Sequence, residues 1–232
     1  MKKGLIGIIS LLMVVGLAIS VPAVSYAQTA EPQTPAPAAN ETKAKDTGAA
    51  STKAKVPGGG GQELAIADFD TGDKPNNLGG DFGTWDKDPN DDTQSVTSTF
   101  VQDDAKGNPG GYALRLDYDV DSPNPAYNGF WMKLEGADAT PYNTLNFYVK
   151  GDAEKGFTKR LKIELKDQTN KPSAYIVSGI TDQWQKISIP FEKFRRITDW
   201  SKMNEFVVVF DDINSNPKTG SIEIDDISFS AE

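Results

Sequence analysis

Neither cysteine nor histidine occurs anywhere in the 232 residues. Without cysteine there is no disulfide framework and no thiolate nucleophile. Without histidine the usual general base, the Ser-His-Asp triad and imidazole metal ligands are all excluded. A domain of this composition is stabilised by its core, by a metal ion, or by both. Any such metal would be a hard cation held by oxygen, and calcium is the expected one.

Positive charge is also scarce where it would matter. The formal net charge is −9, and residues 1–61 carry six lysines against three acids. Residues 62–232 therefore hold 18 basic and 30 acidic side chains, a net charge of −12. Such a surface repels phosphate backbones and argues against nucleic acid as a partner. Neutral sugars or divalent cations suit it better.

Aromatic and branched aliphatic residues are nearly missing from the first quarter of the chain outside one run. Lys2 and Lys3 precede an uncharged apolar stretch from Gly4 to Val24, and Ser25-Tyr26-Ala27 supplies the small residues of a cleavage site. Residues 1–27 thus read as a secretory signal, and the protein as secreted, periplasmic or displayed at the cell surface. An uncleaved membrane anchor is the alternative, because the run is nearly long enough to span a bilayer. Pro22 and the small-residue exit favour cleavage, and no cysteine near Ala27 could carry a lipid. Gln28 to Gly61 is rich in Ala, Pro, Thr and Lys, with Val56 its one branched aliphatic residue. It cannot bury enough apolar surface to offset its ordering entropy, and reads as a flexible tether ending in four glycines.

What is present, from residue 62 to 232, is period-two alternation. Leu145, Phe147 and Val149 alternate with polar residues, as do Leu161, Ile163 and Leu165. Tyr175 to Val177 and Ile187 with Ile189 form two further runs. Tyr112, Leu114, Leu116, Tyr118 and Val120 share one face; Phe130, Met132 and Leu134 share another. Phe206 to Phe210 is apolar at every position, as in a strand covered on both sides. In the last strand Ile222 and Ile224 have one parity and Ile227 and Phe229 the other, which places a β-bulge at Asp225-Asp226. About ten strands, with a long loop from Thr71 to Thr93 and a short helical turn over Ile197 to Met203, predict an all-β chain. Its expected fold is a single antiparallel jelly-roll β-sandwich.

The segments LNFYVKGD, KRLKIELKD, ITDQWQKISIPFEKF, EFVVVF and IEIDDISF resemble the galactose-binding-like jelly rolls, above all carbohydrate-binding module family 11. The same places are similar to the complex I intermediate-associated protein 30 family. The first resemblance implies a polysaccharide- or glycan-binding cleft on a concave sheet face, lined by Tyr and acidic residues. The second implies a protein-interaction or assembly factor. Many relatives of this fold hold a structural calcium between first and last strands.

Two groups of candidate residues follow. Tyr127, Trp131 and Tyr148 have the parity opposite to the core, with Arg115, Asp117 and Lys133 as polar neighbours. Flat indole and phenol rings stack on the C–H faces of sugars while charged groups bond the hydroxyls. The structural alternative is that these aromatics pack beneath loops. Asp68 and Asp70 near the first strand, with Asp225 and Asp226 in the last, are candidate calcium ligands; turn-forming aspartates are the alternative. The acidic loop Asp86–Asp92 resembles an EF-hand start but lacks its glycine and its closing glutamate, so a solvated loop is expected. Glu223-Ile224-Asp225 is similar to the catalytic core of laminarinase-type glycosidases, but the second glutamate is missing. The chain is therefore expected to be no enzyme. Proteolysis of the mature protein should trim it to a resistant core beginning near Gln62, read by mass spectrometry. A resistant fragment retaining most of residues 28–61 would contradict the tether.

Overall fold

The structure is a computed structural model describing residues 61–231. The expected signal segment, or anchor, and all of the tether but Gly61 lie outside the described residues. Among the described residues eleven strands form in order. They are β1 (Glu63–Ala67), β2 (Phe82–Asp86), β3 (Ser95–Val101), β4 (Ala113–Asp119), β5 (Tyr127–Ala137) and β6 (Thr144–Gly151). Then come β7 (Arg160–Asp167), β8 (Pro172–Ser178), β9 (Gln185–Pro190), β10 (Met203–Asp211) and β11 (Thr219–Ser230).

Two antiparallel sheets face each other. Sheet A has the order β3-β4-β11-β6-β9, with β1 added to the end of β11. Sheet B has the order β2-β5-β10-β7-β8. The alternating apolar positions meet between them. Leu114, Leu116 and Phe147 of sheet A pack with Phe130, Ile163, Phe206 and Val208 of sheet B in one continuous core. Each such side chain contributes about 1.5–3 kcal/mol when fully buried. Tyr118 crosses the gap to stack on Phe210, with ring centroids 4.2 Å apart and planes 7° from parallel. Its hydroxyl accepts the Thr158 N–H at 2.7 Å and donates to the Pro217 carbonyl at 3.1 Å. Burial pushes that phenol up to about 12. The two sheets are also tied by Asn128 of β5, whose fully buried amide donates to the carbonyls of Ser95 and Asp119 in sheet A.

The all-β sandwich matches the expectation, and so does the phase change in β11. Pairing of β11 with β6 slips between Asp225 and Ser228, and Asp226 has φ of 48°. Before the slip Ile222 and Ile224 face the core, and after it Ile227 and Phe229 do. β10 lies at the centre of sheet B, and its residues Phe206 to Phe210 are buried on both sides.

Two expectations are corrected. The segment Thr71–Thr93 is not loop throughout, because Phe82–Asp86 forms β2 against β5. Phe82, Thr84 and Asp86 share the inward parity on this strand of five residues, and only Phe82 of them is apolar, too little to stand out. No helical turn forms over Ile197–Met203. A single 3-10 turn spans Phe191–Lys193 instead, while Asp199 accepts the Ser201 N–H and hydroxyl, a side-chain turn that competes with helix. Trp200 stacks on Phe191 of that turn at 3.8 Å.

Candidate functional site

The outer face of sheet B is organised around two glycines. β2 reads Gly83-Thr84-Trp85 and β5 reads Gly129-Phe130-Trp131, and antiparallel pairing sets each tryptophan opposite the other strand's glycine. A Cβ at Gly129 would stand 2.0 Å from the Val208 carbonyl oxygen and 3.2 Å from the Trp85 indole nitrogen. A Cβ at Gly83 would meet the Trp131 indole at 3.4 Å. Each indole therefore leans over a residue with no side chain. Glycine in a strand marks such a close approach, and an aromatic neighbour covers the bared backbone. Tyr127 meets Trp85 edge-on, with centroids 5.8 Å apart, and is itself 42% exposed.

Beside this aromatic pair the sheet forms a hollow of about 450 Å³, within the usual range for small-ligand sites. One row across it runs Trp131, Val207, Glu164, Ala174. The next runs Lys133, Glu205, Lys166, Pro172. In that second row the two ammonium groups clamp one carboxylate. Lys133 Nζ lies 2.7 Å from Glu205 Oε1, and Lys166 Nζ lies 2.5 Å from Oε2. Burial alone would raise the Glu205 carboxyl, but the two lysines outweigh it and hold it below its ordinary value. Lys133 also stands 5.5 Å from the Trp131 ring, a cation–π contact that steadies the indole. The floor is thus rigid and hydrogen-bonding, and its wall is aromatic.

The six expected ligand residues divide between opposite faces. Tyr127, Trp131 and Lys133 lie together on sheet B. Arg115, Asp117 and Tyr148 lie on β4 and β6 of sheet A, so the three aromatics form no common platform. There Arg115 is held by Glu223 at 2.9 Å and Asp152 at 3.6 Å, and Asp117 by Lys155 at 2.7 Å. Parity separates inward from outward but carries no information about which sheet a strand joins. Trp85, Glu205 and Lys166 were missed. The repeated Gly-x-Trp was the signal available for Trp85; the lysine–glutamate clamp depends on register and has none.

The four candidate aspartates gather, with Asp104 added, around the loop between β3 and β4. Asp225 is fully buried, its oxygens accepting the N–H groups of Ala105 and Asp226, and burial pushes it up to about 7. Asp226 Oδ1 accepts from Lys106 at 2.7 Å, while its buried Oδ2 has no partner. A Cβ at Gly111 would lie 2.4 Å from Asp104 Oδ2 and 2.8 Å from Asp70 Oδ1, so glycine leaves room for both carboxylates. Asp68 is bound to the Asn77 amide at 2.7 Å. Among the described residues no three acidic side chains stand at the spacing of a formed metal cage. The all-oxygen donor set, the orphaned Asp226 oxygen and the Gly111 recess nonetheless fit a hard cation. In the Asp86–Asp92 loop, Asp88 and Asp91 accept local N–H groups, as turn formers do. Glu223 serves as the partner of Arg115 at 2.9 Å and of Lys150 at 3.2 Å, and Lys150 also holds Asp103.

Residues 76–231 match the family model described as Carbohydrate binding domain 30, two thirds of the chain. The chain belongs to that family, and its function is carbohydrate binding. Among solved structures it is similar to the family 11 carbohydrate-binding module of the cellulosomal cellulase Lic26A-Cel5E of Clostridium thermocellum. Identity is 17%, coverage 75% of this chain and 97% of that one, and the TM-score 0.53. That organism's family 11 module in complex with a β-1,3-1,4-mixed-linked tetrasaccharide matches at 17% identity, 75% and 98% coverage, and a TM-score of 0.53. An exo-β-agarase matches at 11% identity and a TM-score of 0.50, over 72% of this chain but 24% of the enzyme. These likenesses bear out the jelly-roll architecture. No curated protein matches the chain.

The Glu205 clamp yields a pH signature. Because its folded pKa is depressed, its stabilising effect is complete above the ordinary value of 4.5 and is lost as pH falls through the folded value. Glu205→Gln should cost about 1–3 kcal/mol at pH 7, since two half-buried lysines lose their counter-charge. In urea titrations the difference from wild type should narrow below pH 4.5. A constant difference down to pH 2 (roughly the floor for a paired carboxylate) would remove Glu205 as the titrating group.

Proposed function

We propose that the domain binds a polysaccharide chain on the outer face of sheet B and performs no chemistry on it. The observation that carries this reading is the pair of indoles, Trp85 and Trp131, each seated over the other strand's glycine. Seating on bare backbone leaves little for the rings to lose on binding, so their exposed faces are ready for the C–H faces of sugars. Lys133 and Lys166 have N–H groups to spare beyond their bonds to Glu205, and these suit hydroxyl acceptors. The same clamp supports a reading without chemistry. Hydrolysis needs one carboxyl kept protonated and a second one ionised at a set separation. Glu205 is instead held ionised by two lysines. The N-terminal composition supports export of the chain and a tether ahead of the domain.

Trp131→Ala should weaken polysaccharide binding by roughly 1–3 kcal/mol, by analogy with base stacking. Its stability cost should stay below the about 3–5 kcal/mol of emptying a core tryptophan site. Affinity electrophoresis against a polysaccharide panel and a urea titration check the two halves. Unchanged binding in a well-folded variant moves the site off this face; severe unfolding makes Trp131 a core residue.

Calcium, where bound, would be held by Asp70, Asp104 and Asp226, and would supply counter-charge between the first loop and the last strand. Chelator should then lower the melting temperature, and added calcium restore it, by mass action on the folded state. An unchanged melting curve in protein shown by elemental analysis to be calcium-free throughout would reject the site.

A further inference from the structure

We propose that the sheet B groove continues into a cationic shelf that reads an oxyanion substituent on the bound polysaccharide, such as a uronate carboxylate. The inference rests on the sheet B reading of the site and deepens it to a class of ligand. Glu164 and Pro172 line the groove, and they also line a second hollow of about 320 Å³ whose other wall is Lys193, Arg195 and Arg196. The two hollows are therefore continuous across the β7-β8 edge. Trp131 and Ala174 lie in one row, three strand spacings or about 14 Å apart. A polysaccharide stacked on the indoles and crossing the sheet reaches the shelf within a few sugar units.

Charge at this end runs against that of the domain. In a stretch of net charge −12, most cations are matched by a carboxylate. Arg195 and Arg196 have no ion pair among the described residues, and Lys193 has only its exposed neighbour Glu192. Glu164, at the junction, is offset by Lys162 at 3.6 Å. Lys133 and Lys166 on the groove floor share a single carboxylate. An anion following this path meets excess positive charge at both ends of the row.

The shelf is also fixed in place. The Arg196 N–H donates to Ser173 Oγ of β8 at 3.0 Å, and Thr198 donates to Asp167 Oδ2 through its N–H at 3.1 Å. Phe194 and Ile197, on either side of Arg196, are buried. Exposed arginines on a pinned backbone present their forked donors in a constant place, which suits the planar carboxylate. A solvated charge run on a loose loop would not.

The test uses the full chain and matched polysaccharides: mixed-linkage β-glucan with its 6-carboxylated derivative, and xylan with glucuronoxylan. On whichever backbone binds, the charged member should bind about three- to tenfold more tightly, the sum of a few exposed ion pairs. The preference should vanish in Arg195→Ala/Arg196→Ala and in high salt, and persist in the remote Lys218→Ala. Neutral-chain affinity should be unchanged by the double substitution. Sulfated and phosphorylated forms of the same backbone tell which oxyanion is preferred. Equal affinity of wild type for neutral and all charged forms, or a preference surviving the double substitution, overturns the shelf and leaves the sheet B site standing. Failure to bind any of the backbones overturns both.

Discussion

A strand that is apolar on both sides must be covered on both sides, and the architecture of this domain follows from meeting that demand for β10. Its inward residues Phe206, Val208 and Phe210 are covered by the opposing sheet. Its outward residues Val207 and Val209 are almost as inaccessible, at 2% and 4%, although no third layer among the described residues lies over them. On that side they are flanked by Trp131 and Gly129 on β5 and by Glu164 and Lys162 on β7. Large side chains on the neighbouring strands lean across a low centre, so the sheet acquires walls and a floor. A binding hollow is the geometric remainder of that solution.

The sandwich was legible because its signal is local. Alternation in β4, β6 and β7 and the unbroken run in β10 each report burial from a few consecutive residues. The bulge at Asp225 was legible for the same reason, as a change of parity within one strand. The candidate site was only half legible. Tyr127, Trp131 and Lys133 share a face because they share a strand, whereas adding Tyr148 required knowing that β6 joins the other sheet. That choice is made by strand order, which depends on contacts remote in sequence. Trp85 was hidden in a strand too short and too polar at its ends to stand out, although its Gly-x-Trp spelling repeats that of β5.

The two outer faces also show how similar residues come to differ in availability. On sheet A, Glu223 pairs with both Arg115 and Lys150, Lys150 also pairs with Asp103, and Trp184 donates its indole N–H to Asp103. Their hydrogen-bonding capacity is largely consumed within the protein. On sheet B the lysines outnumber the carboxylate between them, and each indole rests on a glycine and stays partly exposed. Both faces carry charged and aromatic side chains. Unspent bonding capacity sets them apart.

The pairing of β1 with the end of β11 has a consequence for how such a domain can be used. The Ala231 N–H donates to the Gln62 carbonyl at 2.9 Å, so the two ends of the described residues are neighbours. A fold whose ends meet occupies a host chain as a loop occupies a hairpin, entering and leaving at one point. It can therefore be spliced into a surface turn of another protein without separating the flanking segments. Its outer face of sheet B would then project from the host, with the host's own backbone left nearly as it was.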